Sequence, residues 1–238
     1  MKTTNRKRNI SIVIACFLWI FLFCSVIVDY SYASYSPGKA VNYALNNTVD
    51  SGVKQDPKTK HNKGWRNPNY YSSGHDCTNF VSQCVVAGGK SFTKPKKLNL
   101  SAKGWVKGAM YTDTTSRWYN KSYTYKNGPL KRKIFCYSTS FNQVGKFYKK
   151  WEKYSTGKLY KKSGKKAAIA KNSELQNELK YGDIIQAANG DGWYHSMIVT
   201  GGSKGNWSVT YHSTDTKNQA LASRPFSSDT MFRIIRIK

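Results

Sequence analysis

The chain has 238 residues, enough for one ordinary domain plus a short extra segment. It carries 39 Lys+Arg against 12 Asp+Glu, a formal net charge of +27, and its 17 Tyr and 7 Trp are interleaved with the lysines. A globular domain with such a field is drawn to polyanions, and without a C-x-x-C spacing neither a metal centre nor a cofactor is expected.

The N-terminus narrows the choice of polyanion. Lys2, Arg6, Lys7 and Arg8 precede an apolar run from Ile10 to Val28, broken only by Ser11 and Ser25, and small residues Ser31 and Ala33 follow. A basic region, an apolar region and a small-x-small site predict a secretory signal in residues 1–33, cut after Ala33. The apolar run also approaches the roughly 20 residues that span a bilayer, so an uncleaved anchor is the alternative, and the only contact with membrane expected. Val13-Ile14-Ala15-Cys16 resembles a lipoprotein box, but modification there would leave Phe17 to Val28 as a purposeless apolar tail. Either way the remaining domain, residues 34–238, is expected to work outside the cytoplasm. Nucleic acid is then an unexpected partner, whereas anionic cell-envelope polymers fit the charge.

Pro37 followed by 38–45 reads as a helix with Ala40, Val41, Ala44 and Leu45 on its apolar face. Residues 46–69 are polar and contain Gly52, Pro57, Gly64 and Pro68, which predicts a surface loop with a solvated His61. Trp65, Tyr70 and Tyr71 lead toward the next element and are placed to wall a cleft beside it. That element is the stretch from Gly74 to Gly89, which reads as a helix with a cysteine at its mouth. Asp76 is the expected cap, and Phe80, Val81, Cys84 and Val85 form the core stripe. Gly88-Gly89 closes the helix, because glycine takes the left-handed position past its end at little cost. Cys77, in the first turn, faces the positive end of the helix dipole, which favours a thiolate. His75, two residues from Cys77, reads as a loop residue.

Cys77, Cys84 and Cys136 lie beyond the leader, with Cys16 and Cys24 inside it. On one helix Cys77 and Cys84 stand about 10 Å apart, beyond the roughly 7 Å that a disulfide bridges. A Cys84–Cys136 bridge stays open and would leave Cys77 free.

Residues 90–166 are the least readable part, rich in Lys, Tyr, Trp, Ser and Thr. Within them Phe141, Val144, Phe147, Tyr148 and Trp151 recur at helical spacing, predicting an amphipathic helix over 140–153 whose aromatics face the core. Residues 158–166 read as a solvated basic face. From Leu175 to Leu179 a short segment leads into the Tyr181-Gly182-Asp183 turn and a strand at 184–187. The hairpin turn Asn189-Gly190-Asp191-Gly192 then gives strands at 195–200 and 207–212, with a last strand at 232–237. A helix-rich half followed by antiparallel strands is an α+β domain.

Thiol chemistry on an amide needs a thiolate, an imidazole that takes and returns its proton, and a polar group that orients the imidazole. Cys77 supplies the first. His195, opening a strand just after a hairpin turn, is placed for the second, and shares a strand face with Met197 and Val199. His212 on the adjacent strand is the expected orienter, with Asp215 as the alternative. The backbone N–H of Cys77 would help hold an oxyanion.

The run Gly74-His75-Asp76-Cys77-Thr78-Asn79-Phe80-Val81-Ser82-Gln83-Cys84 resembles the DCTNFVSQ signature of the putative amidase domain family, relatives of the NlpC/P60 papain-like enzymes. Tyr181 to Ile185 resembles that group's G-D strand, His195 to Val199 its histidine strand, and Ala40 to Ala44 its opening segment. The resemblance implies a papain-like α+β fold with the nucleophile helix packed on an antiparallel sheet. It also implies Cys77 as nucleophile, His195 as general base and acid, and His212 as third polar residue. Residues 90–166 carry no family motif. The expectation is therefore a secreted, monomeric cysteine amidase or peptidase acting on cell-wall peptidoglycan. A catalytically idle cationic wall-binding protein on the same fold, and a thiol acyltransferase, are the alternatives.

Overall fold

The computed structural model describes residues 34–49, 66–71, 76–93, 104–106, 109–127, 130–161 and 169–238. The leader, His61, Trp65 and His75 lie outside the described residues.

The first helix, α1 (Pro37–Asn46), begins where the sequence tells it to. Pro37 sits at the first helical position, and the Ser36 hydroxyl accepts the Lys39 backbone N–H at 3.3 Å. Helix α2 (Cys77–Ala87) is the centre of the domain. Every residue from Cys77 to Val85 is buried, rather than one stripe only. The reason is that α2 is packed on several sides, against α1 and against the main sheet. Its C-terminal glycines have different tasks. Gly88 lies under the Tyr35 ring, where a Cβ would collide, and Gly89 takes the positive φ of 107°.

The 140–153 segment forms two helices, α3 (Thr139–Asn142) and α4 (Val144–Trp151), instead of the single one that its periodicity predicts. Gln143 between them is extended, with φ −107° and ψ 132°. Phe141, Phe147 and Trp151 nonetheless enter the same core, because the break preserves the apolar face.

Six strands make the main sheet, in the order β5-β10-β6-β7-β8-β9. They are β5 (Tyr160–Lys161), β6 (Ile184–Asn189), β7 (Gly192–Ser203), β8 (Asn206–Tyr211), β9 (Thr216–Ala220) and β10 (Met231–Ile235). All pairings are antiparallel. Alternation along the strands divides two cores. Ile184, Ile198 and Ile235 face the helices with Phe80, Val81 and Val85. Ile185, Met197, Val199, Val209 and Ile234 face the other way, covered by Leu175, Leu179, Leu221 and Phe226. The turn into β6 is fixed by Asp183, whose carboxylate accepts from Arg236 Nε at 2.9 Å, from Arg236 Nη2 at 2.8 Å and from the Lys180 backbone N–H at 2.8 Å.

The region from 90 to 166 holds a second sheet of its own. Strands β1 (Gly104–Val106), β2 (Ala109–Thr112), β3 (Asn120–Asn127) and β4 (Leu130–Ser138) are ordered β1-β2-β4-β3, with β2 and β4 parallel. Met110, Tyr119 and Cys136 form its small core. Cys84 belongs to the helical core and Cys136 to this one, so the Cys84–Cys136 bridge left open by the sequence is not formed.

Candidate active site

Cys77 opens α2, so its side chain stands at the positive end of an eleven-residue helix. It is 6% exposed. Its Sγ lies 3.8 Å from Thr78 Oγ1 and 4.0 Å from the Tyr194 carbonyl oxygen on β7. Burial holds the thiol above its ordinary value, with the Asp76 charge adding to this; the Ser196 backbone N–H and the Thr78 hydroxyl offset only part of it. The sulfur is therefore set against the β7 backbone on either side of His195, not against the His195 ring.

His195 is paired with Ala187 of β6 and is itself buried. As the alternation predicts, it shares a face with Met197 and Val199, which is the face of the sheet turned away from α2. Its ring stands edge-on to Tyr211, 4.9 Å between centroids. Burial, with the charge of Arg224 added, pushes its pKa down to about 3, so the imidazole is the neutral base at neutral pH. Its Nε2 is buried without a hydrogen-bond partner. Among the described residues no hydrogen bond joins the ring to Cys77, His212 or Asp215.

His212 follows β8 and lies on the helix side of the sheet, stacked on Phe80 of α2 with 3.9 Å between ring centroids. Both its ring nitrogens are engaged. Nε2 donates to the Asn47 carbonyl at 2.8 Å. Nδ1 lies 3.0 Å from Asp76 Oδ2 and 3.0 Å from Arg66 Nη1. Arg66 also pairs with Asp76 through Nη1 and donates from Nη2 to Asp215 Oδ1 at 3.2 Å. The structure thus gathers His212 and Asp215 into one charged cluster with Arg66 and Asp76, next to Cys77 rather than next to the His195 ring.

Two members of this cluster were not singled out as site residues by the sequence. Asp76 reads locally as a helix cap, yet its side chain makes no capping hydrogen bond; only its backbone carbonyl joins the helix, accepting Phe80 N–H at 2.8 Å. The carboxylate turns instead to His212 and Arg66. Burial alone would raise it, but those two partners outweigh burial and hold it below its ordinary value. Arg66 had one signal available. It is the single arginine among the basic residues of 46–69, and arginine offers the planar fork that two carboxylates need. Among the described residues no group of His, Cys, Asp and Glu side chains is suited to a metal ion.

The arrangement combines a buried thiol at a helix mouth, backbone donors around its sulfur and a neutral imidazole on the strand beside it, with the ring on the other face of the sheet. Those are the parts of acyl chemistry on an amide. No curated protein and no solved structure matches the chain. The family model of the putative amidase domain matches residues 34–235, which take in every helix and strand described above, and the chain belongs to that family.

Proposed function

We propose that this domain is a secreted cysteine amidase that hydrolyses an amide bond in cell-wall peptidoglycan, on a papain-like fold of the NlpC/P60 kind. Family membership supports amide hydrolysis in general. The observation that carries the cysteine mechanism is the Cys77 sulfur, first in α2 and held against β7 where His195 stands. In this reading the Cys77 thiolate attacks the amide carbonyl carbon, and the first-turn N–H groups hold the oxyanion. His195, a neutral base at rest, takes the thiol proton with its ring turned from the Tyr211 side to the sulfur, and gives it to the leaving amine as the C–N bond breaks. It then removes a proton from the water that cleaves the thioester. His212 serves through Asp76, fixing the first turn of α2, and Asp215 serves through Arg66. The formal charge of +27 supports an anionic envelope as the place of work.

The test compares wild type with Cys77→Ala on purified peptidoglycan, scoring new free amines. Release by wild type alone is expected; equal release by both proteins, or none by either, removes the reading.

A further inference from the structure

Apart from His212 and Asp76, a line of polar side chains crosses the largely apolar interface between α2 and the sheet. Thr78, Ser196 and Gln186 lie there, all fully buried, among Phe80, Val81, Ile184 and Ile198. Gln186 of β6 is the register partner of Ser196 on β7, and Arg233 of β10 is the register partner of Gln186. Three neighbouring strands therefore aim one polar row at the first turn of α2.

The row has a direction. Arg233 Nε can only donate, and it lies 2.8 Å from Gln186 Oε1. This contact identifies the oxygen of the Gln186 amide and turns its NH2 group the other way. Its two hydrogens go to the Val144 carbonyl at 3.0 Å and to Ser196 Oγ at 3.1 Å. Ser196 Oγ then accepts from Gln186, and its own hydrogen is left for Thr78 Oγ1 at 3.0 Å. Thr78 Oγ1 accepts in turn, and its hydrogen is left for the Cys77 sulfur at 3.8 Å. At the far end the Arg233 guanidinium is held between the rings of Tyr148 and Trp193, 3.5 and 3.7 Å from their centroids.

We propose that Arg233, Gln186, Ser196 and Thr78 are positioning residues that form a one-way hydrogen-bond relay ending on the Cys77 sulfur, so that the thiolate meets a donor prepared in advance. The proposal rests on Cys77 as the nucleophile. A buried polar row costs stability unless its donors and acceptors find partners. Here the side chains of Gln186, Ser196 and Thr78 are satisfied together when their donors point toward the sulfur, whereas Arg233 is bound through Nε and its Nη2 has no hydrogen-bond partner. The charged groups about the same turn are Asp76, Arg66, His212 and Asp215; Asp76 opposes thiolate formation and the relay favours it.

The experiment is the pH dependence of Cys77 alkylation by iodoacetamide in the full-length protein, read on the Cys77 peptide by mass spectrometry. Thr78→Val keeps the shape and removes the last donor; the alkylation midpoint is expected to rise by about one pH unit, a ten-fold loss of thiolate below the midpoint. Thr78→Ser should restore the wild-type midpoint, and Ser196→Ala should move it in the same direction as Thr78→Val. An unchanged midpoint in Thr78→Val with thermal unfolding intact overturns the relay, as does an equal shift in Thr78→Ser. If Thr78→Val does not fold, Ser196→Ala decides by the same measurement: a raised midpoint supports the relay and an unchanged one overturns it. Because alkylation needs no substrate, a shifted midpoint with no peptidoglycan cleavage would leave the relay standing and remove the amidase reading.

Discussion

Asp76→Asn isolates the charge at the mouth of α2. Asp76 is 1% exposed, and its carboxylate stands between the His212 imidazole and the Arg66 guanidinium. Losing one partner of a buried pair costs about 3–5 kcal/mol. Arg66 is a quarter exposed and keeps Asp215 at 3.2 Å, so part of that cost is relieved by solvent and by the second carboxylate. A net loss of about 2–3 kcal/mol is the expected result. For a domain of this size that is a fall in Tm of about 4–12 °C at about pH 7. The sign of the pH dependence follows from the carboxyl being held below its ordinary value of 3.8. Its stabilisation is complete above the unfolded value and fades as pH falls through the lower folded one. The gap between wild type and Asp76→Asn should therefore be full at neutral pH and narrow once pH drops below about 4. Asp183, whose carboxyl burial pushes up, moves stability in the opposite sense, but it does so in both proteins and cancels from the comparison. Urea unfolding followed by tryptophan fluorescence across this range reads both quantities. Equal stability at neutral pH, or a gap that stays constant into acid, would refute the argument that charge rather than packing holds Asp76.

His195→Gln and His212→Gln should separate cleanly. The first should abolish amide release and leave Tm within a few degrees, since Nε2 of His195 has no hydrogen bond to lose. The second should lower Tm as well, by an amount corresponding to about 2–3 kcal/mol, because His212 loses contacts at both nitrogens and its stacking on Phe80. Differential scanning calorimetry with the peptidoglycan assay distinguishes them. Two glycine-to-alanine changes should have opposite signs in the same calorimetry. Gly182 has φ 82°, and its Cβ would stand 2.6 Å from that of Pro37, so Gly182→Ala should destabilise by at least about 1–2 kcal/mol. Gly145, in α4, has open space and a helical backbone, so Gly145→Ala should stabilise by about 0.5–1 kcal/mol.

What was legible in the sequence is what local chemistry decides. The hairpin from β6 through Asn189 to Gly192 into β7 carries both a period of two and a turn signal, and it forms where expected. The start of α2 at Cys77 is equally local. The second sheet was legible only at the Asn127-Gly128-Pro129 turn signal between β3 and β4, because β2 pairs in parallel with β4 across more than twenty residues and no nearby turn announces that pairing. The stack of Tyr71, Tyr137 and Tyr111, at 5.1 and 5.9 Å, is likewise made across three separate segments. The apolar spacing over 140–153 persists through the break at Gln143, since periodicity records which residues face the core and not whether the backbone is continuous. Asp76 shows a local rule being outbid. Its capping role depends on the next three residues, whereas Arg66 and His212 come from ten and from 136 positions away.

The two devices at the first turn of α2 act on different properties of the same thiol. The charged cluster of Arg66, Asp76, His212 and Asp215 ties the turn to the loop before it and to the end of β8, so it decides where Cys77 stands. The polar row through Gln186, Ser196 and Thr78 approaches from the sheet and decides what the sulfur meets there. A change in the first should lower stability and activity together, because the turn itself moves. A change in the second that preserves shape should leave stability near wild type and displace the pH at which the thiol ionises. Helix dipole and backbone donors alone would predict no such effect of the polar row: shape-preserving substitutions at Thr78 or Ser196 would then leave the thiol's ionisation where it was.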